Sequence, residues 1–228
     1  ALALLMLLTV GAQAETYVLD EIYATIDIPE SYTPGDIVDV EVYKRKHSYY
    51  MARPIQIKSF SEHREQPKCE HFGQCGGCKW QNMKYETQLF YKQKQVFDNF
   101  TRIGKFDFPD ILPILPSENI YNYRNKIEYT FSNRRWLSFE ELEHKDDFNL
   151  NGLGFHLPGM FDKVLDIQHC NLHNEIGNLI RNEIRTFALQ NNISFYNARS
   201  HEGFLRNLII RNSVCGDLMV ILIVAYND

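Results

Sequence analysis

The sequence has no internal repeat at solenoid or propeller periods and no low-complexity tract, which excludes repeat architectures and simple arrays. It has no run of about twenty apolar residues, the length a helix needs to cross a bilayer. The apolar stretch ALALLMLLTV, Ala1 to Val10, is half that long. Cysteine is sparse: five in 228 residues, an odd number too thinly spread for a secreted disulfide scaffold. Lysine and arginine are absent from the first forty residues. No glycine-rich turn of the dinucleotide or methyl-donor type links a strand to a helix. The pair Gly152 and Gly154 leads instead into a strand-like hairpin, GLGFHLPGMFDKVLDI.

What is present is an ordinary globular composition, 44% hydrophobic and 23% charged, long enough for one large or two to three small domains. The net charge of −5 is unevenly spread: −7 over residues 1–40, +7 over residues 41–135 and −5 over residues 136–228. A basic middle in an acidic chain suits either a solvated charged face or a patch for a polyanion. The start admits two readings. Ala1 to Val10 followed by Gly-Ala-Gln-Ala resembles a secretory h-region with its cleavage site, but lacks an initiator Met and a basic n-region. The other reading is a first strand in a chain cut at its start. The abrupt end after the apolar run DLMVILIVA carries the matching expectation of a longer protein.

Periodicity divides the chain into three parts, a mixed α/β organisation. Residues 1–60 read as a small β-barrel. TYVLDEIYATIDIP alternates roughly, Pro34-Gly35-Asp36 signals a turn, Val38, Val40 and Val42 alternate with acids, and MARPIQIKSF is a further strand. Residues 61–110 hold a polar cysteine-bearing segment and then a helix from Lys84 to Ile103. Tyr85, Leu89, Val96, Phe100 and Ile103 form its stripe, and Gly104 its stop. Residues 111–228 read as an α+β domain after the Pro-rich connector FPDILPILPSE. It holds strands in YRNKIEYTFSN, ISFYNA, FLRNLIIR and DLMVILIVA, the hairpin turned at Pro158-Gly159, and a helix marked by Ile176, Leu179, Ile180, Ile184 and Phe187.

Three cysteines fall in the stretch CEHFGQCGGCKW. Cys69, Cys75 and Cys78 give C-x5-C-G-G-C, with Cys170 and Cys215 far downstream. Gly76 and Gly77 let the backbone wrap closely through φ values other residues avoid. Zinc wants four ligands, and His71 or Cys170 would complete such a site. A cubane iron–sulfur cluster wants four thiolates, one of which can be distant, and Cys170 in DIQHCNL serves. A disulfide pairing or inert thiols are the remaining readings.

The segments CEHFGQCGGCKWQ, QLFYKQKQVFDNFTRIG, YRNKIEYTFSN, GFHLPGMFDKVLDIQHC and FLRNLIIRNSVCGDLMVIL occur in order over roughly residues 60–225. Together they resemble the N-terminal and central parts of the iron–sulfur RNA (uracil-5-)-methyltransferases that act on 23S ribosomal RNA. PGDIVDVEVYKRKHSYYMARPIQIK resembles the second half of that family's TRAM barrel, an OB-like RNA-binding module. The resemblance implies a 4Fe–4S cluster on Cys69, Cys75, Cys78 and Cys170. It also implies S-adenosylmethionine as methyl donor, bound in a domain further on, so that these residues alone are expected to be inactive and to contain no catalytic residue. The expected setting is cytoplasmic and monomeric, with no membrane contact. Cys215, in SVCGD, is expected to be a bystander thiol in a turn. RNA contacts are expected from Lys44, Arg45 and Lys46 on a barrel loop, from Arg124 and Lys126 at the start of a strand, and from Arg206 and Arg211 flanking another. Trp80 and Phe72 are expected to shield the cluster or stack a base, and His156 to be an ordinary strand residue.

Overall fold

A computed structural model of the chain describes residues 7–8, 17–18, 24–26, 32–45, 47 and 50–225. Most of the signal-like start lies outside them. The chain divides into two compact units: residues 1–67 with 79–116, and residues 68–78 with 117–228. The eleven residues that carry the cysteine triplet thus belong with the second unit, while the helix after them belongs with the first.

The first unit holds a five-stranded sheet: β1 (Leu7–Leu8), β2 (Tyr17–Val18), β3 (Ala24–Ile26), β4 (Ile37–Arg45) and β5 (Tyr50–Ser59). Its order is β2-β1-β4-β5-β3; β1 is antiparallel to β2 and parallel to β4, β4 and β5 are antiparallel, and β3 is parallel to β5. The alternation read in IVDVEV is real: Val38 and Val40 turn inward and pack with Ala52, while Tyr32, Val42 and Ile57 close over them. Among the described residues no pairing joins β2 to β3, so the sheet is open where a barrel would close.

The turn before β4 is built as its sequence demands. Pro34 sets φ, Gly35 takes φ +92°, and the Asp36 amide donates to the Thr33 carbonyl at 3.0 Å. Asp36 is buried, and its carboxylate accepts from the amides of Thr33 (2.7 Å) and Ser61 (2.9 Å) and from the Arg64 guanidinium (2.5 and 2.9 Å). Burial alone raises its pKa. The Arg64 hydrogen bond, the two amides and the Arg64 charge outweigh that and hold it below the ordinary 3.8.

The helix α1 runs Tyr85–Asp98 and then widens into a π-helical turn over Asn99–Gly104, where the expected helix continued regularly to Ile103. The left-handed stop is Lys105 (φ 52°) rather than Gly104, and its amide donates to the Phe100 carbonyl at 2.8 Å. The cause is aromatic packing. The rings of Phe97, Phe100, Phe106 and Phe108 meet at 5.3–5.8 Å, mostly edge to face. A Cβ at Gly104 would stand 2.8 Å from Cδ1 of Phe106, so that glycine makes room for a ring instead of reversing the chain. Val96, Phe97, Phe100 and Ile103 stay exposed, and Thr87 is the buried residue of α1.

The second unit is an antiparallel sheet of order β10-β9-β6-β7-β8 with one long helix: β6 (Lys126–Ser132), α2 (Phe139–Glu143), β7 (Gly152–His156), β8 (Val164–Asp166), α3 (Glu175–Gln190), β9 (Leu205–Asn212) and β10 (Leu218–Val224). Ile127, Tyr129 and Phe131 of β6 share the buried face with Leu208 and Ile210 of β9 and Leu153 of β7, and Ile180 and Ile184 of α3 pack against this core. The expected hairpin forms, with Gly154 opposite Asp166 and Gly159 at φ +74°. ISFYNA makes only isolated bridges, at Phe195 and Asn197. α2, unforeseen, starts at a capping box in which Ser138 and Glu141 satisfy each other's amides. α3 reverses part of its expected stripe: Ile176, Leu179 and Phe187 are exposed, while Arg181 is fully buried. Arg181 donates to the Leu153 carbonyl and, at 2.9 Å, to Asp166; Arg185 adds a second guanidinium, its Nε 2.9 Å from the same Asp166 oxygen. Burial lowers the Arg181 pKa to about 10, which still leaves it charged at neutral pH.

Two predictions follow from these buried charges. Asp166→Ala strands two guanidinium groups, one fully buried, and is expected to cost about 3–5 kcal/mol in urea unfolding. Arg181→Met leaves Asp166 paired with Arg185 and is expected to cost clearly less. Because the Asp36 pKa is depressed on folding, its stabilisation is present above pH 3.8 and fades as pH falls through the lower folded value. Acid unfolding of Asp36→Asn, followed by circular dichroism, is expected to lose that component and to start from lower stability at neutral pH.

Candidate metal centre

The triplet segment is a tight set of turns. The Phe72 amide donates to the Cys69 carbonyl (3.1 Å), and the amides of Gln74 (3.2 Å) and Cys75 (2.9 Å) both donate to the His71 carbonyl. The left-handed residue is Gly73, φ +87°; Gly76 and Gly77 keep ordinary φ, contrary to the expectation from the Gly-Gly pair. Gly76 is required for another reason. Its amide donates to the His156 carbonyl at 3.3 Å, and a Cβ there would stand 2.8 Å from that oxygen. His156, a β7 residue as expected, therefore anchors the triplet through its backbone.

Cys170 comes from the loop after β8 and is clamped by α3. Its amide donates to Asn178 Oδ1 at 2.8 Å, and Asn178 Nδ2 donates back to its carbonyl at 3.2 Å. Asn174 caps α3 by accepting the Gly177 amide at 2.8 Å, and Gly177 leaves room for the ring of buried His173. His173 Nδ1 lies 3.2 Å from the Tyr129 hydroxyl.

All five cysteines are free thiols; Cys75 and Cys170 are buried, Cys69 and Cys78 half-buried, Cys215 exposed. Cys75, Cys78 and Cys170 share the hydrophobic core of the unit. Burial pushes the Cys75 thiol up to about 11, the Gly77 amide at 3.4 Å pulls it down, and the charges of Cys78, Cys170 and Cys69 push it further up. Burial likewise raises Cys170; the amides of Leu172 and His173 act against that, and Cys78 and Cys69 add to it. The fold therefore brings Cys69, Cys75, Cys78 and Cys170 within one another's electrostatic reach and aims three backbone amides at their sulfurs. Cys215 lies in the β9–β10 turn, where the Ser213 amide donates to the Asp217 carbonyl at 2.9 Å.

Among the described residues no group of three or more His, Cys, Asp or Glu side chains is arranged to hold a single metal ion. His71 Nε2 rests 3.3 Å from the Glu70 carboxylate. A cubane makes a different demand: each thiolate binds its own iron corner, so its ligands need not crowd one ion. Cys69, Cys75, Cys78 and Cys170 lie in one unit, with Cys75 and Cys170 in its apolar core, and would be the residues to hold such a group.

The expected RNA residues fall into two sets. Lys44 and Arg45 are exposed in β4 itself, Lys44 opposite Met51 and Arg45 over the Tyr50 ring at 5.8 Å, so they extend a strand instead of forming a loop. Lys46 lies outside the described residues. In the second unit Lys126 opens β6 and pairs directly with Arg211 of β9; both are exposed. Arg124 precedes β6, and its amide donates to the Leu172 carbonyl at 3.0 Å. Arg206 and Arg211 lie inside β9, not beside it, and Arg206 covers the Tyr196 ring at 4.4 Å. Trp80 is exposed under Lys92 Nζ at 5.9 Å; Phe72 is half-buried. Sequence reasoning passed over Tyr129, His173, Asn178 and the Arg181–Asp166 pair. The available signal was polar residues at positions where an apolar period expects core. No helix among the described residues is long and apolar enough to cross a membrane.

No protein-family model matches the chain. It is 50% identical over 191 residues to an uncharacterized RNA methyltransferase of Bacteroides thetaiotaomicron, covering 83% of this chain and 42% of that protein. It is 45% identical over 201 residues to one of Porphyromonas gingivalis (86% and 43%), and 42% identical over 198 residues to one of Chlorobaculum tepidum (86% and 41%). Among solved structures, it resembles that of Pyrococcus abyssi tRNA (uracil-54, C5)-methyltransferase in complex with S-adenosyl-L-homocysteine. The TM-score is 0.60 at 24% identity, over 90% of this chain and 42% of that one, which establishes a shared fold. Over most of its length, then, the chain is similar to proteins named as RNA methyltransferases, and it spans about two fifths of their length.

Proposed function

We propose that this chain is the RNA-binding and 4Fe–4S-bearing part of an S-adenosylmethionine-dependent RNA (uracil-5-)-methyltransferase acting on 23S ribosomal RNA. The observation that carries the reading is the gathering of Cys69, Cys75, Cys78 and Cys170 in one unit, from two segments far apart in sequence, with the amides of Gly77, Leu172 and His173 directed at sulfur. The buried Cys75 is a neutral thiol at ordinary pH, and ionising it to a ligand calls for a compensating cation. Relatives named as RNA methyltransferases support the reaction class, and a fold shared with a uracil-C5 enzyme supports the target atom. The methyl donor is assigned to the part of the longer relatives that this chain does not span.

The residues of this chain bind and position. A 4Fe–4S cluster, when bound, supplies charge compensation and a cross-link between the triplet and Cys170. The Cys170 segment in turn holds the approach to β6: the Asn122 amide donates to the Asn171 carbonyl (2.9 Å) and the Arg124 amide to Leu172 (3.0 Å). The centre is thus joined through backbone to Arg124 and Lys126. Lys126 and Arg211 face each other across neighbouring strands, with the Glu128 carboxylate 3.8 Å from Lys126 Nζ offsetting part of their repulsion. Phosphate oxygens of RNA would add to that compensation.

The first test is anaerobic purification with iron, sulfide and thiol analysis. Brown protein with about four irons per chain is expected. In its native state one thiol, Cys215, reacts rapidly with a disulfide reagent, and all five react after unfolding with chelator. Colourless protein with one zinc, or with four fast thiols, would sink the cluster assignment. For RNA, Lys126→Ala and Arg211→Ala are each expected to weaken binding of 23S fragments and to reduce the slope of log affinity against log salt by about one. An unchanged slope removes these residues from the interface, and stronger retention of tRNA than of 23S fragments would reassign the substrate.

A further inference from the structure

The tip of the β7–β8 hairpin is apolar, exposed and tied down by cations. Pro158 and Gly159 suffice to turn the chain, yet Met160 and Phe161 follow them on the surface, Phe161 with 68% of its area exposed. The next residue, Asp162, is buried, and one of its carboxylate oxygens takes two guanidinium groups, Arg199 Nε at 2.5 Å and Arg134 Nε at 3.0 Å. Two arginines on one carboxylate leave a positive charge over, and Arg199 keeps 58% of its side chain in solvent. Its guanidinium carbon stands 5.9 Å from the centre of the Phe161 ring.

The segment that delivers Arg199 is built around Asn197. The Asn197 side-chain oxygen accepts the amides of Arg199 (2.9 Å) and Ser200 (3.3 Å), its amide donates to the Glu202 carbonyl (2.7 Å), and its carbonyl accepts the His201 amide (2.9 Å). Beside it, Tyr196 is covered by the Arg206 guanidinium at 4.4 Å, and the Tyr196 carbonyl accepts the Asn133 amide at 3.2 Å. The hairpin tip is fastened to the same stretch of chain, because Ser132 Oγ donates to the Asp162 carbonyl at 3.2 Å. Two aromatic rings, each under a guanidinium, are thus fixed at the far end of β6 from Lys126. Over residues 158–163 and 195–206 together with Arg134, four cations (Arg134, Lys163, Arg199 and Arg206) stand against two acids, Asp162 and Glu202.

A lone exposed apolar side chain needs no explanation, but an exposed ring held beside surplus arginine charge meets a specific demand. An unpaired stretch of nucleic acid supplies both complements: a flat base for the ring and phosphate oxygens for the guanidinium forks. A duplex supplies the phosphates but keeps its base faces stacked inside. We propose that the hairpin tip and the 195–206 segment form a second RNA contact, in which Phe161 stacks an unpaired base and Arg199 and Arg206 take the phosphates flanking it. The inference rests on the RNA reading above and not on the cluster assignment. It adds a site separate from the Lys126–Arg211 pair, since Arg206 and Arg211 lie five residues apart on β9, about 17 Å along an extended strand.

The test measures fluorescence anisotropy of a labelled, unstructured pyrimidine-rich RNA, and of the duplex it forms with its complement, against the 228-residue chain over a range of salt. Phe161→Ala is expected to weaken binding of the single strand about tenfold, the scale of one lost base stack, with the slope of log affinity against log salt unchanged. The duplex is expected to bind Phe161→Ala as it binds wild type. Phe161→Tyr keeps a stacking face and is expected to bind as wild type, whereas Phe161→Leu keeps apolar bulk alone and is expected to behave as Phe161→Ala. Arg199→Ala leaves Asp162 paired with Arg134 and is expected to lower the salt slope by about one. Single-strand affinity indifferent to Phe161→Ala overturns the inference, leaves the Lys126–Arg211 contact standing and assigns the tip to a protein partner. Equal losses for single strand and duplex, or full affinity in Phe161→Leu, also overturn it. If Phe161→Ala does not fold, the comparison of Phe161→Leu with Phe161→Tyr decides. A wild-type chain that binds neither RNA ends the RNA reading, and the inference with it.

Discussion

One carboxylate sets the geometry of the second unit. Asp166 ends β8, four residues before Cys170, and is buried between α3 and the sheet. It accepts from the Leu153 amide at 3.0 Å and from two guanidinium groups of α3. Arg181 spans the gap by also donating to the Leu153 carbonyl. Strand β7, strand β8 and helix α3 are thereby fixed to one another through a single charged centre. Dispersion packing of Ile180 and Ile184 would tolerate some sliding of the helix; directed bonds to a fixed carboxylate do not. Asn178, one turn before Arg181 on α3, then holds Cys170 by both backbone groups. The position of the fourth thiol is inherited from the Asp166 clamp.

Around that thiol two electrostatic demands meet. Cys75 and Cys170, buried in an apolar core, resist ionisation, and Cys75 does so up to about pH 11. The fold offers partial compensation from the Gly77, Leu172 and His173 amides, and no lysine or arginine is among the causes that shift Cys75 or Cys170. Arg124 acts on His173 and Tyr129, the layer behind the thiols. Cations are instead arrayed at the outer end of the sheet, with Lys126 opposite Arg211. That separation is economical: a cation against the thiols would compete with a metal, whereas cations at the strand ends stay available to a polyanion.

The sequence made the elements legible where one physical cause dominates. β4 follows from alternation, the hairpin from Pro158-Gly159, and the turn at Pro34-Gly35 from the φ values these residues favour. The ligand set Cys69, Cys75, Cys78 and Cys170 is what the family resemblance implies, and spacing alone leaves zinc, cluster and inert thiols open. What was not legible arose from tertiary causes. α1 ends in a π-turn because four phenylalanines pack there, and no local rule for Gly104 contains that. α3 buries Arg181 and exposes Leu179 because Asp166 supplies a partner from another element, which helical periodicity cannot see. β10, expected as an apolar strand, forms as one, and every residue in it is exposed at the sheet edge. The glycines of C-G-G-C were read as conformational, but Gly76 is set by the approach of His156 and the unusual φ belongs to Gly73.

The triplet segment is a run of turns within the second unit, and that bears on what a cluster would do there. Residues 68–78 leave the first unit and return to it within eleven residues. Their own hydrogen bonds are turns. Among their ties to the rest of the second unit are the Gly76 amide on His156, Lys68 over the Tyr121 ring at 4.8 Å, burial of Cys75 and packing of Cys78 on the core. A cross-link from this segment to Cys170 would close a loop of more than ninety residues in the unfolded chain, a constraint of about 4–5 kcal/mol where it acts as a disulfide does. On the proposed cluster assignment, such a link would add to the order of the triplet segment, and the backbone bonds that join Asn171 and Leu172 to Asn122 and Arg124 would carry that order to the start of β6.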